Sequence, residues 1–435
     1  MADLTPRALG GRDVLRIPDF RRLFVAQTIS DIGDGLTLLT LLLLVNQLTH
    51  SALALAVMSI AVAVPPMTIG LVGGAYADRL DRRRIMLASD ALRGVLVLGF
   101  ILLATAERLP LLYGLAFIQA SIGTFFSPAR GALIPRVVPA HGLLAANSIG
   151  QISRVVAGLI GTGLAGLIVG VTGQVWPAFV VDAATFFASV AIVYGVDRRL
   201  GMPEGLEGSA RASIRASVGE GLRTIAGSRT LVATVAGTAV AMLGLGGVNV
   251  LFVPFLVNVL QVSPVWAGPL EGAQTLSLVL AGGLVATIAA RRSPTSILSV
   301  SLAGVAAVVA CLSIVPDVGW AFVVLFAVGW FVTPLQAATT TILQTSVADG
   351  MRGRVMAAFQ ASMSTTTILS TAAAGIFADV IGIRQVIIVG AVVVAVGAIG
   401  ATWLYAADRR STDRVAQRDS IAIRRSTAGR MPPAR

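Results

Sequence analysis

A charged side chain inside a long apolar run is costly in hydrocarbon, and where one persists it faces a cavity or a partner. In this chain such residues are Asp31 and Asp34, Asp90 and Arg93, Arg154, Asp182 and Glu271. Asp31 and Asp34 stand three apart, which puts both on one face of a helix. Counted from Leu23, Asp34 lies about 16 Å deep, close to a bilayer midplane. Two carboxylates this close in low dielectric do not readily ionise together, which is the property a proton-binding site needs. Asp34, and after it Asp31, are therefore candidates for proton or substrate duty. A blander reading stays open, with Asp31 solvated near the surface and Asp34 a satisfied hydrogen-bonding group. Arg154 is about 15 Å deep counted from Leu144 and is the candidate partner of Asp34; a fixed buried pair is the alternative. Asp90 and Arg93 form an i, i+3 pair near one end of their run and read as structural. Asp182 and Glu271 lie about 10 Å from the other face. Asp182 reads as structural, and Glu271 as a cavity residue and a further proton-coupling candidate.

The elements that must position these groups follow from composition. Of 435 residues, 56% are hydrophobic and 12% charged, where a soluble domain carries about 25% charged residues. Mean hydropathy is +0.85. Ordinary soluble proteins and disordered chains are excluded. All 33 basic residues are Arg, so Walker-A phosphate binding, Schiff-base chemistry and a lysine base are excluded as well. One cysteine, Cys311, and two histidines, His50 and His141, rule out a disulfide scaffold or a His/Cys zinc site. No cofactor is expected.

A span needs roughly 20 apolar residues, and twelve such runs lie between residues 23 and 406. The predicted class is an all-α polytopic membrane protein of twelve transmembrane helices. It is divided into an N-tail (1–22), a six-helix bundle (23–195), a linker (196–230), a second six-helix bundle (231–406) and a basic disordered C-tail (407–435). No cleavable signal is expected before the first span. With the N-terminus inside, nearly every Arg falls on the cytoplasmic side and only Arg108 and Arg384 fall outside, which predicts cytoplasmic termini. The net charge of +12 reads as this topology signal plus attraction to anionic lipid headgroups, and no nucleic-acid partner is expected. Ile214, Val218, Leu222 and Ile225 share a face opposite Arg211, Arg215 and Arg223, the pattern of an amphipathic helix on the membrane surface.

The halves echo each other. Gly73-Gly74 recurs as Gly282-Gly283, and Ser127-Pro128 as Thr333-Pro334, at offsets of 209 and 206 residues. Repeat-built bundles of this kind run the substrate path between the halves near the midplane.

The stretch Gly73-Gly74-Ala75-Tyr76-Ala77-Asp78-Arg79-Leu80-Asp81-Arg82-Arg83-Arg84 resembles the loop 2–3 signature of the major facilitator superfamily, with Asp81 where Gly is usual. Phe20-Arg21-Arg22-Leu23-Phe24, Ser30 to Gly35, Ser127-Pro128-Ala129-Arg130 and Asp182 to Phe186 are similar to its macrolide-efflux and enterobactin-exporter branch, the third drug:proton antiporter group. The resemblance runs from about residue 18 to 406. It departs in two places. The span-5 antiporter motif reads Gly161-Thr162-Gly163-Leu164-Ala165-Gly166, with Thr for the usual Pro, and the Arg usual early in span 4 is missing between Leu111 and Gly123.

The resemblance implies two pseudo-symmetric halves with both termini inside, spans 1 and 5 as neighbours, and a conformational latch made of Gly74, Asp78, Arg79, Arg82 and Arg83. In that latch Asp78 would meet the N-terminal end of span 11 near Val355, where the helix dipole favours an anion; a plain topology determinant is the alternative. It also implies substrate contacts from spans 1, 4, 7 and 10, with Gln27, Gln119, Phe125, Asn249, Asn258 and Gln336 as candidates. The expected function is a proton-coupled exporter of amphipathic small molecules, such as drugs or a siderophore-like metabolite. Its partners would be its substrate, protons and membrane lipids, and it would act as a monomer in the plasma membrane, the inner membrane of a bacterium. A lipid or lysophospholipid transporter of the same fold is the second reading. A membrane sensor or enzyme is a remote third, since no nucleophile–base set, metal cluster or nucleotide loop is present.

Overall fold

The computed structural model describes residues 9–69, 80–202, 214–289 and 291–428. After a short turn of helix at Gly11–Val14, the first half consists of α1 (Pro18–Thr49), α2 (Ala52–Thr68), α3 (Arg82–Leu102), α4 (Leu109–Val137), α5 (Leu143–Thr172) and α6 (Trp176–Tyr194). A linker helix, Ile214–Ala226, leads to α7 (Arg229–Pro254), α8 (Ala267–Ala289), α9 (Pro294–Ser313), α10 (Val318–Thr345), α11 (Asp349–Ile381) and α12 (Ile383–Ala428). Among the described residues no strand occurs, and ten helices are long and apolar enough to cross a membrane. α2 is a shorter apolar helix of 17 residues.

The boundaries have local causes. Ser51, Asp81, Ser228, Ser293 and Asp317 each accept a backbone N–H in the first turn of the following helix, which satisfies donors the helix itself cannot. Gly173 and Gly382 take positive φ where α5 and α11 stop, a conformation that costs glycine little. Large apolar side chains such as Leu102, Val171, Val380 and Ile399 point outward, as lipid-facing residues must.

Packing makes the internal repeat explicit. α1 lies on α5 and α6, α3 on α4 and α6, and α2 on α4. Adding six to each label gives the second half: α7 lies on α11 and α12, α9 on α10 and α12, and α8 on α10. The interface between halves follows the same rule, since α2 meets α11 and α8 meets α5. Atomic contacts agree. Asn46 and Asn258, 212 residues apart, exchange amide hydrogen bonds of 3.1 and 3.0 Å. Gly268 of α8 rests on Gly163 of α5, and Gly375 of α11 rests on Ala56 of α2. Those two crossings are also related by a shift of 212 residues. A Cβ on Gly268 would lie 2.5 Å from the Gly163 Cα, so small residues here set how closely the halves approach.

All of these contacts lie at the end of the molecule that carries the α1–α2 turn. There Asp379, near the end of α11, also accepts from Ser51 Oγ at 2.5 Å, Ala52 N at 2.6 Å and Leu53 N at 3.1 Å. An acid from one half thus caps the first turn of a helix in the other.

Two sequence expectations change. The C-tail, expected to be disordered from residue 407, continues α12 as helix to Ala428, because no Gly or Pro falls between residues 401 and 428 to stop it. The linker helix does not simply lie on a membrane surface. Its Val218 and Ile225 pack with Leu343, Val347, Val355 and Ala358, and Glu220 pairs with Arg354 of α11 at 2.5 Å. Leu222 remains exposed on the free side.

Candidate functional site

The first half encloses a cavity of about 720 Å³ whose wall includes Gln27, Asp31, Asp34, Gln119 and Arg154, all singled out in the sequence, together with Arg93. The second half has a cavity of about 430 Å³ lined by Asn249, Phe252, Glu271, Gln274, Thr275 and Leu278 among others. The two adjoin across α5. Gly158 lines the first cavity, and Thr162, one turn further on, stands beside Glu271.

Charge in the first cavity is organised by helix crossings. Gly35 of α1 and Gly158 of α5 are in backbone contact, and Gly161 lies against the Ile32 carbonyl. One turn back from Gly35 and Gly158 along these parallel helices stand Asp31 and Arg154. Arg154 is accordingly the cation that acts most strongly on Asp31, ahead of Arg130 and Arg93. Asp34 is rotated away from α5 toward α3. Its carboxylate pairs with Arg93, whose side chain is 7% exposed while that of Asp34 is 47% exposed. The partner of Asp34 is thus Arg93, and Arg154, expected in that role, faces Asp31.

Arg93 is held on three sides. Its guanidinium carbon lies 4.2 Å from the centre of the Phe186 ring, a cation–π contact. Its Nη1 is 3.6 Å from Asp90 Oδ1, and the other Asp90 oxygen accepts from Ser189 at 2.6 Å. Gly123 of α4 leaves the space the chain passes through, since a Cβ there would lie 3.3 Å from Arg93 Nε. Asp182 is fully buried beside this network and accepts from Thr37 and Thr185.

Other candidates fall elsewhere. Asn258 is occupied by Asn46 at the closed end. Gln336 is exposed on α10, where its carbonyl accepts from Thr340 at 2.9 Å. Phe125 is half-buried between Thr124 and Phe126, which line the first cavity. Of the latch residues, Gly74, Asp78 and Arg79 lie outside the described residues. Arg82 is half-buried at the start of α3. Arg83 donates to the Tyr194 carbonyl at 2.5 Å and lies 5.1 Å from the centre of that ring, so it is folded onto α6 of its own half. Sequence reasoning took Arg93 as structural and passed over Asn46 and Asp379. The usable signal for Arg93 was its place in an apolar run.

Comparison with known proteins agrees with this architecture. The family described as transmembrane secretion effector, MFS_3, matches residues 12–422. An uncharacterised MFS-type transporter of Bacillus subtilis, YfiS, is 26% identical over 393 residues, covering 87% of this chain and 91% of that protein. The multidrug efflux pump Tap of Mycobacterium tuberculosis is 26% identical over 388 residues, covering 86% and 90%. Among solved structures, a mutant of the nucleoside transporter NupG superposes with a TM-score of 0.74 at 11% identity, covering 89% of this chain and 99% of that one. A bacterial homologue of the iron transporter ferroportin in its inward-facing state gives 0.70 at 13% identity, covering 90% and 98%. Two six-helix halves around adjoining central cavities, and a family match over nearly the whole chain, identify it as a major facilitator superfamily transporter of the transmembrane secretion effector family.

Proposed function

We propose that this chain is a proton-coupled exporter of hydrophobic or amphipathic small molecules, working by alternating access. It would have twelve spans, both termini in the cytoplasm, and act as a monomer in a bacterial plasma membrane. The observation that carries the reading is Asp34, half exposed on a cavity wall, paired to a buried arginine. Ionised, the carboxylate is held by Arg93; a proton on it dissolves that pair and leaves the guanidinium to Asp90 and the Phe186 ring. A proton can therefore change the forces between α1 and α3, which is the differential interaction a two-state cycle requires. With the arginine-rich end cytoplasmic, the contacts at Asn46, Gly163, Gly375 and Asp379 close the outer side, and the cavities belong to an inward-facing state. Relatives that carry the name of a multidrug efflux pump support export of such solutes.

The test is accumulation of a fluorescent lipophilic dye in everted vesicles under an inward-acid pH gradient, comparing wild type with Asp34→Asn. Gradient-dependent accumulation that disappears in the variant is the expected result. Accumulation unaffected by the substitution would remove Asp34 from the proton path.

A further inference from the structure

Of the charged residues between Leu231 and Tyr405, Glu271 is the one that, among the described residues, lines the cavity of the second half. Glu271, on the second turn of α8, faces the cavity of about 430 Å³, a volume suited to a drug-sized molecule. Among the described residues no arginine or histidine lines that cavity. Its neighbour Thr162 offers a hydroxyl but no charge, and it stands where the family motif places a proline. The adjoining cavity is different, because its wall carries two carboxylates, Asp31 and Asp34, and two guanidinium groups, Arg154 and Arg93, the last of them paired with Asp34.

The consequence for a ligand is electrostatic. A cation entering between the halves meets a balanced wall on one side and an unmatched carboxylate on the other. In surroundings this apolar the attraction is stronger than between the same charges in water. Phe252 adds an aromatic surface, and Asn249 and Gln274 add neutral hydrogen-bonding groups beside it. We infer that Glu271 is the recognition group for the positive charge of an organic monocation with an apolar body, a protonated amine or a quaternary onium ion. Asp34 and Arg93 then handle the proton. This assignment rests on the transporter reading of the two cavities, and it separates the residue that selects substrate from the residue that couples transport.

The experiment uses the purified full chain and two probes of similar shape, tetraphenylphosphonium and the neutral triphenylphosphine oxide. Glu271→Gln weakens phosphonium binding by about tenfold or more, as loss of a charged contact should, and changes the neutral probe by less than about twofold. Both probes are measured at equilibrium with no pH gradient, so failure here and failure of proton coupling are told apart. In wild-type protein, phosphonium protects Glu271 from carbodiimide labelling read by mass spectrometry and the neutral probe does not; this readout needs no variant to fold. Unchanged phosphonium binding in Glu271→Gln, equal loss of both probes, or labelling of Glu271 that ignores phosphonium would overturn the assignment.

Discussion

The two halves share one packing scheme and differ in what they bury. In the first, Asp31, Asp34, Asp90, Arg93, Arg154 and Asp182 lie inside the bundle, with Arg93 reaching from α3 to Asp34 of α1 and α1 crossing α5 beside Asp31 and Arg154. In the second, α7, the counterpart of α1, has no charge between Thr230 and Pro254, and among the described residues Glu271 is the one charge on the cavity wall. What repeats at a spacing of 212 residues is the set of small residues and amides that bring the halves together. The packing scheme is therefore reached in the second half without such a network. Buried charges must each be desolvated and matched, and a bundle of the same shape forms without them in the second half. That contrast is the strongest reason to assign the network to the transport cycle.

The largest expected effect comes from breaking the network at its centre. Arg93→Met strands Asp34 and Asp90 at once. Removing one partner of a buried pair costs about 3–5 kcal/mol, to be discounted here because Asp34 is half exposed. Gradient-driven transport should fall by about 100-fold or more, with a lower melting temperature in detergent. Near-wild-type transport in this variant would erase the distinction between the halves.

The repeat makes a matched prediction of intermediate size. Gly268→Leu and Gly375→Leu fill equivalent crossings, one on each side of the pseudo-symmetry axis. Overpacking of about 1–3 kcal/mol at either site shifts the population roughly 5- to 150-fold toward a state open at the α1–α2 end. Thiol labelling of cysteines placed at that end should report similar shifts for both. A strong effect at one site alone would mean that the crossings are not equivalent.

A smaller effect is expected at Asp379, which is exposed although it accepts three hydrogen bonds across the interface. Asp379→Ala should favour the same open state by about 1–2 kcal/mol, roughly a tenfold change in labelling. No change would leave closure of that end to Asn46, Asn258 and the glycine crossings.

Much of this was legible in one dimension. Apolar runs and arginine placement located the helices, because length and hydropathy decide what a bilayer accepts. Asp31, Asp34, Arg154 and Glu271 stood out because charge in such runs is rare. Which charges meet was not legible. The choice between Arg93 and Arg154 depends on the Gly35–Gly158 crossing and on the space left by Gly123, and depth along a helix carries neither. Asn258 has the polarity of a cavity residue, and only the fold reveals that Asn46 occupies it. Asp379 looked like the end of a run, since its partner is the start of a helix more than 300 positions earlier.

The most direct test of the central claim compares two modes of transport in proteoliposomes, gradient-driven uptake and gradient-free exchange of substrate. If the first half couples protons and the second recognises substrate, Asp34→Asn should lose uptake and keep exchange, while Glu271→Gln should lose both for a lipophilic cation and keep both for a neutral solute. Gradient-driven uptake that survives in Asp34→Asn, or is lost for neutral solutes in Glu271→Gln, would contradict this division of labour between the halves.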